Sequence, residues 1–217
     1  MSGPAIASGM DEDLLLLIIS SPSGAGKTTL TRDLLAHFPE LTFSVSHTTR
    51  KPRPAEVEGR DYHFIGREDF MQRVADNAFA EWAEVHGNLY GTALAEIDRC
   101  KREGRRGIVF DIDFQGARQI KARREDAISV FVLPPNIEEL KERLRRRASD
   151  DDATIERRYT NAQQEIAHYG LFDYVIVNDQ LEDAKARLKA IVLAEQSRRR
   201  RMASIAEGML RRIRSGA

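Results

Sequence analysis

A single cysteine, Cys100, occurs in the 217 residues. That excludes an internal disulfide and any metal site built from several thiolates. Cys100 reads as a packed or idle thiol on its helix rather than a nucleophile. No apolar stretch approaches the ~20 residues that a membrane-crossing helix needs. Neither sign of charge is in excess: Lys plus Arg and Asp plus Glu each number 34, so the net charge is zero. Specific nucleic-acid binding is therefore not expected, although local basic patches are allowed. The five histidines show no metal-ligand spacing, and neither His47 nor His63 joins a serine or an acid in a triad. No internal repeat is present. At 41% apolar and 31% charged residues, the composition is that of a soluble globular chain able to bury one full core. Asp11, Glu12 and Asp13 stand directly before the first apolar run. Residues 1–13 thus read as a loose tail and not a signal peptide, and a cytoplasmic location is expected.

What is present is concentrated in Leu14 to Leu35, LLLLIISSPSGAGKTTLTRDLL. The run Leu14–Ile19 predicts a strand buried on both faces. Ser21, Pro22, Ser23, Gly24, Ala25, Gly26, Lys27 and Thr28 form a small-residue loop, and Leu30, Leu34 and Leu35 recur at helical spacing. Strand, loop and helix in that order are the context of a phosphate-binding P-loop. Glycine lets backbone N–H groups close around phosphate oxygens. The start of the helix adds unpaired N–H groups and a positive dipole end. Lys27 brings a mobile charge to the β- and γ-phosphates, and Thr28 offers a hydroxyl to Mg²⁺. Ser21 stands where the usual pattern has its first glycine.

Further along, Thr42–Thr48 predicts one strand and Tyr62–Ile65 a short one. Glu68–Asp76 predicts a helix and Phe79–Val85 an extended segment. Gly87–Gly91 predicts a turn, with a helix from Thr92 to about Glu103. Gly107–Ile112, Ile128–Leu133 and Tyr174–Val177 read as core strands, each apolar throughout. Asn136–Arg147, Ala153–His168 and a stretch from Leu181 read as helices. Apolar strands separated by helices imply a parallel sheet covered on both faces. Residues 46–94, with short strands and polar turns, read as an insert between two core elements.

Arg50 and Arg53 lie in a proline-stiffened loop, RKPRP. With the Tyr62 hydroxyl, two guanidinium forks suit one phosphate monoester. The bland alternative is a solvated basic loop. Glu81, placed between Ala80 and Trp82, could accept two parallel hydrogen bonds, which guanine offers at N1–H and its 2-amino group and adenine does not. Alone, it equally fits a surface glutamate. Tyr90 and Thr92 could add a phosphate and a base contact. Asp111 and Asp113 end a buried strand, where ligands of open α/β sheets gather. Either can approach Mg²⁺, and Asp113 could instead cap the next helix. Arg147 and Arg158 flank an SDDD hinge and suit closure over a moving phosphoryl charge. Arg198–Arg201 and Arg211–Arg212 read as a solvated basic helix end.

Taken together, SPSGAGKTTL, SVSHTTRKPRPAEVEGRDYHF, GNLYGT, IVFDIDFQG and YVIVND resemble the guanylate kinases, over about Leu14 to Ala194. The resemblance implies an α/β P-loop NTPase fold with a parallel core sheet, a small mixed α/β insert for GMP and a helical lid. The implied division is tail 1–13, core 14–45, insert 46–94, core 95–138, lid 139–161, and core with C-terminal helix 162–217. It implies ATP and GMP as substrates, with dGMP as a further acceptor, and Mg²⁺ as cofactor; the sequence is compatible with a homo-oligomer and does not reveal the oligomeric state. By position, Arg50, Arg53, Tyr62 and Tyr90 would hold the GMP phosphate, and Ser44, Glu81 and Thr92 would read guanine. Asp111 or Asp113 would face base or metal. The P-loop through Thr29 would hold ATP, with Asn178 near its adenine. Lys27, Arg50, Arg147 and Arg158 would be the catalytic cations. Other readings are a kinase for another phosphorylated acceptor, a GTPase through D-x-x-G at Asp113–Gly116, and a non-catalytic binding module of the same fold. No N-K-x-D accompanies the GTPase pattern.

Overall fold

The computed structural model describes residues 14–85, 87–145 and 152–215. In chain order the elements are β1 (Leu15–Ser20), α1 (Lys27–His37), β2 (Leu41–Phe43), β3 (His47–Thr48), β4 (His63–Phe64) and α2 (Arg67–Ala75). Then come β5 (Phe79–Val85), β6 (Asn88–Ala93), α3 (Leu94–Arg102), β7 (Gly107–Asp111) and α4 (Phe114–Arg123). Last are β8 (Ile128–Leu133), α5 (Ile137–Arg145), α6 (Asp152–Ile166), β9 (Tyr174–Val177), α7 (Leu181–Gln196) and α8 (Arg199–Ser215).

Two sheets result. The first is parallel throughout, in the order β2-β7-β1-β8-β9. β1 lies at its centre, and every one of its residues is buried. Its side chains alternate: Leu15, Leu17 and Ile19 meet Leu30 and Leu34 of α1 and Leu188 and Val192 of α7. Leu14, Leu16 and Ile18 meet Ile97 and Cys100 of α3 and Ala117 and Ile120 of α4 on the other face. Each such aliphatic side chain contributes about 1.5–3 kcal/mol by leaving water. Coverage is thinnest toward the β9 edge, where Val175 and Val177 are exposed. Cys100 is fully buried and burial pushes its thiol up to about 11, so it is no nucleophile.

The second sheet runs β4-β3-β6-β5 and mixes parallel and antiparallel pairs. Its small core stacks Phe70 on Phe79, with ring centroids 4.6 Å apart. Two expectations change here. Thr42–Thr48 is not one strand: β2 stays in the first sheet, and the chain crosses to the second before β3. α3 holds that crossing, since Glu96 accepts from Val45 N–H at 2.9 Å and Arg99 donates to the Phe43 carbonyl at 3.0 Å. Gly87–Gly91 is not a turn alone, because β6 starts at Asn88 and pairs antiparallel with β5. That pairing carries the strand through Thr92, and the helix begins at Leu94.

Candidate active site

β1 ends at Ser20, and the small-residue loop turns over its carboxyl end into α1. Gly26 has φ +98°, and a Cβ there would stand 2.4 Å from Asn178 Nδ2. Only glycine accepts that geometry. Asn178 is buried, follows β9, and donates through Nδ2 to the Ala25 carbonyl at 2.7 Å. It fixes the loop's backbone, a duty distinct from the adenine contact expected of it. At the start of α1, Thr29 and Leu30 N–H donate to the Gly26 carbonyl at 3.1 and 3.3 Å; the N–H groups before them have no helical acceptor. Asp111, at the end of the neighbouring β7, forms an ion pair with Lys27. Burial alone would lower the Lys27 pKa; the Asp111 carboxylate more than reverses this, so the ammonium is held charged.

The second sheet supplies the facing wall. α4 grips β5 from the core: Arg123 donates to the Phe79 and Ala80 carbonyls at 3.0 and 2.9 Å. Gln119 donates to the Trp82 carbonyl at 2.6 Å and accepts from its N–H at 3.2 Å. Glu81 is thereby held between two anchored neighbours. It is only 3% exposed, directly opposite Thr92. Burial raises its pKa to about 7, hydrogen bonds from Thr92 oppose the rise, and Asp113 adds to it. A Cβ on Gly116 would lie 2.4 Å from Glu81 Oε2, so the start of α4 closes on the carboxylate. Thr92 is fully buried behind it and shares a 3.1 Å hydrogen bond with Ser46.

A cleft of about 340 Å³ joins the two walls. Ser21, Pro22, Ser23, Gly24, Gly26, Lys27 and Thr28 line one side; Arg53, Tyr62, Glu81 and Tyr90 line the other. Asp111, Asp113, Arg158 and Glu165 complete it. Ala25 is buried beneath the loop, and Thr29 is exposed outside the cleft wall. Arg50 sits behind the wall. Its guanidinium makes two bonds to Glu56, at 2.8 and 3.0 Å, and donates to Tyr90 Oη at 3.2 Å. It also lies 5.4 Å from the Tyr62 ring centre. Arg53 is more exposed, and its backbone N–H donates to Glu56 at 2.7 Å.

The two aspartates separate. Asp111 faces Lys27, on the loop side. Asp113 caps α4, accepting from Gly116 N–H at 2.9 Å, and its charge is felt by Glu81. Oxygen donors Thr28 and Asp111 beside the loop suit Mg²⁺, which needs few protein oxygens when phosphates supply the rest. Among the described residues no group of three or more His, Cys, Asp or Glu forms a metal cluster, consistent with so sparse a donor set.

Ser44 is a correction. It still donates its N–H to Val109 in the first sheet at 3.0 Å, and its hydroxyl is buried outside the cleft. Ser46, beyond the crossing, is the serine that lines the cleft. Arg147 lies outside the described residues. Sequence reasoning also missed Glu165 on α6, whose carboxylate accepts from Ser23 N–H at 3.2 Å. Burial raises its pKa to about 6, against opposition from that bond and from Lys27. One signal was present: position 161, four residues earlier on α6, is an asparagine and gives it no basic partner there.

The guanylate kinase family model matches residues 14–195. The chain is 49% identical over 189 residues to a guanylate kinase of Geobacter metallireducens, covering 87% of this chain and 93% of that protein. It is 50% identical over 187 residues to one from Nitratidesulfovibrio vulgaris, covering 86% and 90%. The crystal structure of guanylate kinase from Anaplasma phagocytophilum superposes with a TM-score of 0.71 at 34% identity, covering 88% of this chain and 90% of that one.

Proposed function

Because the chain belongs to the guanylate kinase family and phosphorylates GMP with ATP, we propose that its cleft divides into a backbone-built donor side and a side-chain-built acceptor side. The observation that carries this reading is that the P-loop and the second sheet line a single cleft. Two nucleotides can therefore lie end to end with their phosphates in contact.

On the donor side, Ser21 to Thr28 receive the ATP phosphates, with Lys27 at the transferring group. On the acceptor side, Arg50, Arg53, Tyr62 and Tyr90 hold the GMP phosphate. Tyr62, whose pKa burial raises, stays protonated as a donor. Glu81 accepts from guanine N1–H and the 2-amino group, with Thr92 and Ser46 behind it. Asp113 belongs to the base side and Asp111 to the metal side. Thr28 and Asp111 would hold Mg²⁺, which would supply positive charge against that of the phosphates.

No protein nucleophile is needed. A GMP phosphate oxygen attacks the γ-phosphorus in line, the bond from that phosphorus to the β,γ-bridging oxygen breaks, and the electron pair leaves with ADP. Lys27, Arg158 and Arg147 stabilise the charge as it moves. Arg50 enters this chemistry by exchanging Glu56 for the GMP phosphate. Closure of 139–161 over the cleft excludes water, which would otherwise take the phosphoryl group. On this reading 46–94 is the acceptor insert, and 14–45, 95–138 and 162–217 are the core. No helix among the described residues is long and apolar enough to cross a membrane. We place the enzyme in the cytoplasm, where both nucleotides are supplied.

The test is a coupled assay for ADP with ATP and each of GMP, dGMP, AMP, CMP and UMP. Turnover with GMP far above the non-guanine acceptors is expected. Equal turnover with AMP would remove Glu81 from base selection.

A further inference from the structure

At the amino-terminal end of β1, away from the P-loop, a second cavity of about 480 Å³ opens between α3, β1 and α8. Leu14 and Ile205 give it apolar walls, and Lys101, Arg105, Arg106 and Arg201 give it charge. The chain as a whole is neutral, so this concentration of cations is local.

Arg201 is the anomaly. The basic stretch containing it was expected to be a solvated helix end, yet Arg201 is only 6% exposed. Its Nε, Nη1 and Nη2 all lack a hydrogen-bond partner. A buried guanidinium is normally paired, because desolvated N–H groups without acceptors are costly. The carboxylates that act on it are Glu195 and Asp126. Glu195 is bonded to the Tyr174 hydroxyl at 2.6 Å and to Arg198 at 2.8 Å. Asp126 is bonded to Arg124 at 2.9 Å, and Arg200 donates to its backbone carbonyl at 3.0 Å. Each of these two carboxylates is thus already bonded to another arginine, Asp126 to Arg124 and Glu195 to Arg198. Burial and then the neighbouring Arg200 lower the Arg201 pKa, against the opposing pull of Asp126 and Glu195. Across the cavity Arg105 donates to the Pro39 carbonyl at 2.6 Å and pairs with Glu103 at 3.6 Å, whereas Arg106 is exposed and reaches the cavity.

We propose that this cavity is a second anion site, which takes the phosphate group of a small phosphorylated molecule between Arg201 and Arg106, with the body of the ligand against Leu14 and Ile205. A phosphate supplies the acceptors that Arg201 lacks, and its oxygens suit guanidinium forks. The site takes no part in phosphoryl transfer, since it lies at the opposite end of the sheet.

The probe is inorganic phosphate, titrated into the full chain at constant ionic strength set with chloride, while backbone and arginine Nε–H signals are followed by ¹H–¹⁵N NMR. Arg201 Nε–H and the Leu15 and Arg106 amides should shift saturably. Arg106→Ser, an exposed change that leaves the core untouched, should weaken that response about tenfold, the loss of one charge-assisted bond. The phosphate response of the Gly24 and Gly26 amides should persist in that variant. A response confined to the P-loop, or one at Arg201 indifferent to Arg106, overturns the proposal. So does an equal response to chloride. Glu195 Oε2 is also without a partner. If Glu195→Gln alone moves the Arg201 signal as far as phosphate does, the two pair internally and the site is not a ligand site. If phosphate acts only once Asp11, Glu12 and Asp13 are changed to their amides, the chain's own acidic segment is the occupant, and the proposal fails.

Discussion

On the proposed reading, the two sides of the cleft hold phosphate by different means. The donor side is eight contiguous residues, Ser21 to Thr28, whose backbone shape is set by glycine and by Asn178 on Ala25. The acceptor side gathers Arg50, Tyr62, Glu81 and Tyr90 from separate segments through the pairing of β3, β6 and β5. A backbone site carries little of its function in any one side chain, apart from Lys27, and fails when sterics distort it. A side-chain site fails one charge at a time. Each side pairs a cation internally, Lys27 with Asp111 and Arg50 with Glu56, so on the proposed reading each substrate phosphate displaces a carboxylate.

The contrast can be broken most severely at Lys27. Lys27→Ala should lower kcat by about 10²–10³-fold, the range for losing one preorganised electrostatic group. The far-ultraviolet circular dichroism should stay unchanged, because Lys27 adds nothing to either core cluster. Near-normal turnover in the folded variant would take Lys27 out of the mechanism.

Arg50→Ala should raise KM for GMP about 10- to 100-fold, from roughly 1.5–3 kcal/mol of charge-assisted bonding. KM for ATP should scarcely move. Equal losses for both substrates would mean that the two sides are not separable.

Glu81→Gln sharpens the comparison through pH. The folded pKa of Glu81, about 7, lies above its ordinary 4.5 because burial penalises the charged form. Its contribution to stability is therefore fully present below about 4.5 and is lost as pH rises through about 7. Wild type should lose thermal stability between pH 5 and pH 8 relative to Glu81→Gln. Guanine needs the carboxylate, so wild-type KM for GMP should fall as pH rises through 7, and the variant should lose that dependence together with kcat/KM for GMP. A GMP-to-AMP ratio unchanged by the substitution would leave Glu81 a buried acid with no part in base selection.

The smallest effect is expected at Glu165. Its carboxylate occupies Ser23 N–H on the loop, so Glu165→Gln should lower KM for ATP by about two- to fivefold at pH 8. The carboxyl is protonated below about 6, so wild type and variant should converge at pH 5. A difference that persists at pH 5 would show that shape, not charge, sets the effect.

The P-loop and the parallel sheet were legible because their determinants are local. Six apolar residues, a glycine-bearing loop and a helical apolar spacing occur in one unbroken stretch, and no distant partner is needed to interpret them. The same holds for Gly107–Ile112 and Ile128–Leu133, whose side chains are apolar at every position and so bury on both faces. The arginine–proline loop and Glu81 were legible only as residue types suited to guanosine phosphate.

Tertiary structure decided the rest. Whether Ser44 or Ser46 reaches the cleft depends on where the chain leaves one sheet for another, and that point is set by Glu96 and Arg99 on α3. β6 is a strand because β5 lies beside it, although Gly87 to Gly91 has turn composition. Asn178 finds the loop backbone across 153 positions of chain, and Arg201 is buried at a cavity that Leu14 and Leu15 also line. Local spacing states what a side chain can bond. Only long-range pairing, which brings residues far apart in sequence into contact, states what it meets.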